Sequence, residues 1–380
     1  MSAVLDLPGL TRTQRVIVCC GSGGVGKTTS AAALGVLAAR QGRRVQVMTI
    51  DPARRLAQAM GLQALTNDPQ TVELDAEGEL SALMLDSKRT FDRLVENYAP
   101  DARVRDAIFA NHYYQQLSSS LGGSRELVAM ERVLEAINAG THDLLIVDTP
   151  PSHHALDFLE APQRIVNLLD GSLTRTLVRP YGLAARAQFN FFRQSSAAAL
   201  KFMERLTGVE MLADLSDFLL AFSSMFDGFK ERSHQVQSLM KEPTTCFLLI
   251  CAPEPASLRQ VEQFAERLAV EQMQVAGVLA NRVSPDPGWQ DDGHGVRFAA
   301  EDAAALDALG DAEFSPRSLA GRLGSVLEAA AAERRADMQA LTGVGGGRLP
   351  LHVVPRFDHD LHSMGDLEAF AARLAPLRQP

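Results

Sequence analysis

The sequence is poor in cysteine and has no C-x-x-C pair. Four cysteines occur in 380 residues, at Cys19, Cys20, Cys246 and Cys251. All four stand in apolar runs that are typical of buried strands, which favours core thiols in a reducing compartment. We therefore expect neither a disulfide framework nor a structural zinc site.

Long apolar runs and an excess of positive charge are also lacking. No apolar run reaches the roughly 18 residues that a membrane-spanning helix needs. Residues 1–10 lack the basic and apolar stretches of a signal peptide, so we expect a cytoplasmic protein with at most peripheral membrane contact. Lys and Arg number 37 against 46 Asp and Glu, which argues against nucleic acid as a partner.

Short buried-strand patterns alternate with helical patterns along most of the chain. An alanine-rich helix is predicted at 28–40, and a stripe ending at Leu268 predicts another helix with Ser257 as its N-cap. This alternation predicts a doubly wound, mostly parallel α/β sheet in a single domain over residues 1–380. The predicted strands lie at 15–20, 45–50, 82–85, 144–147, 247–250, 277–280 and 351–354.

Three segments interrupt this alternation. Residues 87–140 and 171–242 are too long for ordinary crossovers and lack a strand pattern, so they predict an inserted α-helical subdomain on one edge of the sheet. Residues 284–295 are rich in proline and glycine and predict a mobile loop.

A glycine-rich loop stands between the first predicted strand and the first long helix. It fits the pattern G-x-x-x-x-G-K-[ST], in which backbone N–H groups face phosphates and the helix N-terminus adds its positive dipole end. Lys27 would reach the β- and γ-phosphates, and the Thr28 hydroxyl would ligate Mg²⁺. The sequence therefore predicts a site for ATP and Mg²⁺ in a P-loop fold, formed by Gly21, Ser22, Gly23, Gly24, Val25, Gly26, Lys27, Thr28 and Thr29.

Two aspartates directly follow other predicted strands. Asp51 stands in Thr-Ile-Asp-Pro-Ala and Asp148 in Ile-Val-Asp-Thr-Pro-Pro. Carboxylates at the C-terminal ends of parallel strands point into the ligand crevice. Both are candidates for contacts to Mg²⁺, mainly through water, and one of them suits orienting the attacking water.

These segments together resemble the arsenical-pump (ArsA) ATPases, a family that includes the ATPases delivering tail-anchored membrane proteins. The similarity rests on the glycine loop, on Asp51-Pro52-Ala53, and on the segment from Asp148 to Leu159 with its H-x-L-x-F-L run. It extends over about residues 16–374 and implies a dimeric ATPase with a deviant Walker A loop. By position it implies that Asp51 orients or activates water, that Asp148 lies near Mg²⁺, and that Asn281, Pro355 and Arg356 surround adenine.

The sequence departs from this family at two places. Ser22 stands where the resemblance implies a lysine that reaches the phosphates of the partner subunit. We therefore expect a homodimer with slow turnover or a heterodimer with a related ATPase subunit, unless Arg54 or Arg55 replaces that charge. Residues 282–342 contain no cysteine, so the zinc clasp of the tail-anchored targeting members is not expected, and the cysteine cluster of the arsenite pump is missing as well.

An apolar stripe at helical spacing lies in the predicted helical subdomain. It follows residues 171–203, which carry basic residues but no acidic one. The stripe is typical of helix packing, and it also fits a surface for a hydrophobic client or a membrane partner. Its candidate client residues are Leu215, Phe218, Leu219, Phe222, Met225, Phe226 and Phe229.

Three functions remain open from the sequence. The first is an ATPase that couples nucleotide state to dimer shape and to the handling of a hydrophobic client. The second is a subunit that energises an anion pump for arsenite or a similar oxyanion. The third is a nucleotide-binding subunit that regulates a partner without hydrolysing ATP itself, which the Ser22 departure suggests.

Overall fold

The protein is described by a computed structural model over residues 3–50, 54–112, 114–115, 122–150, 226–287 and 316–375. Ten α-helices, one 3₁₀ turn and eight strands lie in these ranges. In chain order they are α1 Leu7–Thr13, β1 Val16–Gly21, α2 Lys27–Arg40, β2 Arg44–Thr49, α3 Arg54–Ala59, β3 Gln70–Val72, β4 Glu79–Met84, α4 Ser87–Tyr98, α5 Ala102–Ala110, α6 Gly122–Ala139, β5 Leu144–Asp148, α7 Phe226–Lys241, β6 Thr245–Cys251, α8 Pro255–Val270, β7 Val275–Val283, α9 Pro316–Leu341, the 3₁₀ turn Val344–Gly347, β8 Leu351–Pro355 and α10 Met364–Leu374.

All eight strands form one sheet in the order β3-β4-β2-β5-β1-β6-β7-β8. Every pairing is parallel except that of β3 with β4. The doubly wound, mostly parallel α/β fold that the sequence predicts is therefore confirmed. Because β5 lies between β1 and β2, the C-terminal ends of these three strands share one edge of the sheet, where ligands bind in such folds.

The central strands β1, β5 and β6 are mostly apolar because helices cover both faces of the sheet. Along β1, Ile17 and Cys19 belong to a core shared with α2 and α10, whereas Val16, Val18 and Cys20 belong to a core shared with α6, α7 and α8. This alternation follows from the two-residue period of a strand. It explains why the predicted strands are short continuous apolar runs instead of alternating ones.

The described helices of 87–140 and 226–241 are consistent with the predicted helical content. Helix α6 packs against β5, and α7 packs against β6, so both lie on a face of the sheet. The predicted inserted subdomain and the mobile loop at 284–295 stay predictions, since residues 151–225 and 288–315 lie outside the described ranges. None of the helices within the described ranges has both the length and the apolar character that crossing a bilayer requires.

Two features differ from the sequence-based expectation. The short antiparallel strand β3 was not predicted, because three residues that pair on one side only give no readable pattern. The prediction that Ser257 caps helix α8 is wrong: the N-cap is Glu254, and Ser257 lies in the first turn with 3% of its surface exposed. The predicted stripe of that helix is correct, with Leu258, Val261, Phe264 and Leu268 all buried.

Candidate functional site

The glycine loop connects β1 to α2 at the edge of the sheet where the parallel strands end. Gly26 has a φ of 88° and is the N-cap of α2, and a Cβ there would stand 2.4 Å from Nδ2 of Asn281. A Cβ on Gly21 would stand 2.1 Å from the carbonyl oxygen of Ile250. Both positions therefore require glycine, and the loop can wrap closely enough to present its N–H groups to a phosphate.

Lys27 is the first residue of α2 and is 7% exposed. Its Nζ donates to the backbone carbonyl of Ser22 at 2.8 Å, so the side chain folds back across the loop. A buried ammonium group needs acceptors, and phosphate oxygens are stronger acceptors for it than a neutral carbonyl. This placement fits a lysine that turns from the loop to a bound phosphate.

Asp148 ends β5 and lies beside the loop, with no exposed surface. Its Oδ2 accepts hydrogen bonds from Thr28 Oγ1 at 2.6 Å and from Thr49 Oγ1 at 2.9 Å. The carboxylate thus meets the first turn of α2 and the end of β2 at one point. Hydroxyl and carboxylate oxygens are the ligands that Mg²⁺ prefers, so Thr28 and Asp148 fit a magnesium position at this edge.

Two cysteine thiols lie in β1 directly before the loop. Burial raises the pKa of Cys20 to about 12, and burial is also the main cause of the raised pKa of Cys19. Both thiols are therefore uncharged near neutral pH and do not compete with phosphate for Lys27. Next to them, Thr149 donates its hydroxyl to the carbonyl of Cys19 at 2.8 Å, which ties the segment after Asp148 to β1.

Asn281, near the end of β7, contacts the phosphate loop itself. Its Nδ2 donates to the carbonyl of Val25 at 2.9 Å, and its Oδ1 accepts from the backbone N–H of Arg282 at 2.9 Å. Arg282 has a φ of 60°, a left-handed conformation that this local hydrogen bond supports. The structure thus places Asn281 at the loop, and its role toward adenine stays a prediction.

Pro355 is the last residue of β8, which pairs with the strand of Asn281, and Arg356 follows it directly. The N–H of Arg356 donates to the carbonyl of Val283 at 2.7 Å, which continues the pairing of β7 with β8. The guanidinium group of Arg356 pairs with Glu333 of α9 at 3.5 Å, and both side chains are about half exposed. The structure therefore brings Pro355, Arg356 and Asn281 to the same end of the sheet, where an adenine-binding role stays a prediction.

Several predicted residues lie outside the part of the chain that the structure describes. These are Asp51 and, among the client residues, Leu215, Phe218, Leu219, Phe222 and Met225. The backbone of Phe226 and Phe229 belongs to α7, but their side chains are outside the description. The expectation that no zinc is bound also stays a prediction.

For two residues near the loop, the sequence did not predict a place in the site. Thr49 precedes the Ile50-Asp51 pair, and a polar residue at the end of an apolar strand is the signal that could have indicated it. Ser257 lies far away in sequence, yet its Oγ is 2.9 Å from Oγ of Ser22. No spacing rule could have paired these two serines, because the contact arises only when β6 pairs with β1.

Several known proteins are similar to this chain in sequence. The profile of the anion-transporting ATPase family matches residues 14–304. ATPase GET3 of Malassezia globosa is 25% identical over 288 residues, which cover 75% of this chain and 78% of that protein. The uncharacterized protein SCO2128 of Streptomyces coelicolor is 30% identical over 273 residues, or 72% of this chain and 63% of that protein.

A further relative is also named as an ATPase. ATPase ARSA2 of Chlamydomonas reinhardtii is 27% identical over 267 residues, which cover 69% of this chain and 66% of that protein. The family match spans the phosphate loop, Asp148 and Asn281 together. The chain is therefore an ATPase that belongs to the anion-transporting ATPase (ArsA) family.

Proposed function

We propose that the chain binds Mg²⁺-ATP at the phosphate loop and that hydrolysis changes the shape of a dimer that holds a hydrophobic client or a membrane partner. The observation that carries the nucleotide site is the hydrogen bond of 2.6 Å from Thr28 Oγ1 to Asp148 Oδ2. It joins the first turn of α2 to the end of β5, where a P-loop site needs a hydroxyl and a carboxylate together.

Each residue of the site has a distinct role in this proposal. Lys27 leaves the carbonyl of Ser22 and binds the β- and γ-phosphates, and backbone N–H groups of the loop surround them. Thr28 and, through water, Asp148 would hold Mg²⁺, which neutralises phosphate charge when it is bound. Asp51 orients the attacking water as a general base or through a hydrogen bond.

The client role is supported by sequence features and by family resemblance. The apolar stripe reaches α7, whose buried residues Val236, Leu239 and Met240 pack into the core next to the sheet. A helix that carries candidate client residues at its start therefore has its remainder fixed on the nucleotide-binding sheet. Movement at the strand ends can reach the stripe through this helix.

A second candidate function is a subunit that energises an anion pump. The description of the family as anion-transporting ATPases favours it. Both candidates share the nucleotide site and differ in what stimulates hydrolysis. Stimulation by an oxyanion would indicate the pump, and stimulation by an apolar helix would indicate the client role.

The nucleotide site is tested by replacing Lys27. We expect Lys27→Ala to abolish ATP binding or to lower turnover by at least about 100-fold, because the phosphates lose their main counter-ion. Lys88→Ala is the matched control, since this exposed lysine lies on α4 and pairs only with Asp92 among the ion pairs described. Unchanged affinity and turnover in Lys27→Ala would refute the site.

The client role needs a separate measurement on the same protein. ATP hydrolysis by the purified chain is measured alone, with arsenite, and with a soluble peptide that carries an apolar transmembrane-type helix. We expect the peptide to change turnover and to bind more tightly to Asp51→Asn in the presence of Mg²⁺-ATP, where the nucleotide is held unhydrolysed. Stimulation by arsenite with no effect of the peptide would favour the pump.

A further inference from the structure

The side chain of Ser22 forms a hydrogen bond within its own subunit, to Ser257 at the start of the helix that follows β6. Its Oγ lies 2.9 Å from Oγ of Ser257, in the first turn of α8. Ser257 is 3% exposed, and its Oγ also accepts the N–H of Ala252 at 3.2 Å. Burial and the hydrogen bond with Ala252 thus fix the position of Ser257 independently of its contact with the loop.

Ser22 is the only residue between Gly21 and Gly26 whose side chain can form a hydrogen bond, since the others are glycine and Val25. Its backbone carbonyl is the acceptor for Lys27 Nζ at 2.8 Å. The far side of the loop is held separately, by Asn281 at the carbonyl of Val25. Ser257 therefore holds, through Ser22, the half of the loop that Asn281 does not contact.

We propose that Ser257 is a positioning residue for the triphosphate, which holds the start of the phosphate loop in its binding shape through Ser22. The proposal rests on the proposed nucleotide site. A glycine-rich loop has many backbone conformations, and each must be lost when its N–H groups gather around phosphate. A side-chain contact that orders the loop beforehand reduces this cost and appears as tighter nucleotide binding.

The same contact assigns a different role to position 22 than the family resemblance implies. A lysine there would extend away from its own subunit, whereas the Ser22 hydroxyl is bound within it. Position 22 of this chain therefore acts on its own loop. The phosphate-binding shape of the loop is then maintained by contacts inside one subunit.

A simpler alternative is that Ser257 only stabilises the start of α8. Its hydrogen bond with Ala252 would serve that purpose without any effect on nucleotide. The two roles can be separated because Ser22→Ala removes the contact between the serines and leaves the bond of Ala252 with Ser257 intact. If Ser257 were purely structural, Ser257→Ala would lower the melting temperature, and both Ser257→Ala and Ser22→Ala would leave the affinity for ATP unchanged.

The test is a double-mutant cycle on the full chain with Mg²⁺-ATP as the probe. Affinity is measured by calorimetry and hydrolysis by steady-state kinetics for Ser22→Ala, Ser257→Ala and the double variant. We expect each single variant to bind ATP about 5- to 10-fold more weakly, with kcat changed less than about twofold. The double variant should bind ATP no more weakly than either single variant, because each single substitution already removes the same contact between Ser22 and Ser257.

The matched control is Thr245→Val, which removes another fully buried hydroxyl at the opposite end of β6. It should leave affinity unchanged. Unchanged affinity in Ser22→Ala, or losses in the two single variants that simply multiply in the double variant, would overturn the positioning role. A wild-type protein whose ATP binding does not depend on Lys27 would instead refute the nucleotide site itself.

Discussion

Nδ2 of Asn281 donates to the carbonyl oxygen of Val25 at 2.9 Å, although Asn281 lies near the end of β7, a strand two places away from β1 in the sheet. The amide therefore bridges over the end of β6 to reach the phosphate loop. Gly26, the next residue, has no room for a Cβ because this amide occupies the space. The sheet order places Asn281 beside the loop, and the amide of Asn281 in turn requires glycine at position 26.

We predict that Asn281→Ala weakens ATP binding by about 10-fold, because one hydrogen bond that orders the loop is lost. The free energy of unfolding should fall by about 1–3 kcal/mol, since the buried carbonyl of Val25 and the N–H of Arg282 both lose their partner. Calorimetry and denaturant unfolding measure the two effects. Asn67→Ala, at another buried asparagine, should lower stability without changing affinity. Equal affinity losses in both variants would contradict a specific role for Asn281.

We predict that Asp51→Asn binds ATP about as tightly as the wild type but hydrolyses it at least about 100-fold more slowly, because only the charge that orients or activates water is lost. Single-turnover hydrolysis separates this step from binding. Asp75→Asn is the control, since Asp75 is an exposed aspartate in the loop that joins β3 to β4. Turnover near the wild-type rate in Asp51→Asn would show that Asp51 is structural.

The sequence predicted the parts of the fold that repeat a pattern. Seven strands, α2 and the stripe of α8 were predictable because buried strands and amphipathic helices repeat along the chain. The phosphate loop was predictable because its chemistry requires fixed residue types at fixed spacing. Strand β3 has only three residues, which is too short for a periodic pattern.

The remaining contacts of the site depend on which strands become neighbours. Ser257 carries the residue type of a helix cap, and only the structure shows that its hydroxyl turns to Ser22 and Ala252. Likewise, Asn281 reaches Val25 only because β7 lies beyond β6 in the sheet. Tertiary placement therefore gives each of these side chains a long-range partner in addition to its local one.

The start of α10 should be sensitive to pH through His359. Its Nε2 lies 3.1 Å from Asp366 and its Nδ1 lies 2.7 Å from Asp358, and these hydrogen bonds, with Asp366 as the larger cause, raise the pKa of His359 above its ordinary value of 6.5. A raised pKa in the folded state means that the contribution to stability is complete below pH 6.5. It is lost as pH rises through the folded-state pKa.

We therefore predict that His359→Gln lowers the melting temperature at about pH 5.5 and has little effect at about pH 8.5. The difference at low pH should shrink in about 1 M salt, because the side chains of His359 and Asp358 are largely exposed. His234→Gln, at an exposed histidine of α7, is the control for loss of a ring. A difference between His359→Gln and the wild type that is the same at both pH values would contradict the prediction.

Ser22→Lys in the isolated chain would restore the positive charge that the family resemblance implies at this position. The family resemblance implies that a lysine at this position completes the site of the partner subunit, and a cation acting across an interface on transferring phosphate can raise the rate by ~10³-fold or more. Ser22→Lys also removes the hydrogen bond with Ser257. We therefore expect KM for ATP to rise, because the contact with Ser257 is lost. If the chain forms a homodimer, kcat should rise as well, because the added lysine supplies a cation to the site of the partner subunit.

Two comparisons decide what this result means. A slow wild-type chain that becomes fast when a related subunit carrying the lysine is added would support a heterodimer. A fast wild-type chain whose kcat is unchanged by Ser22→Lys would show that another cation already supplies the charge, and Arg54→Ala and Arg55→Ala would then identify it by a loss of kcat. In that case the chain needs no partner lysine, because the loop is ordered by Ser257 and the charge comes from the segment after Asp51.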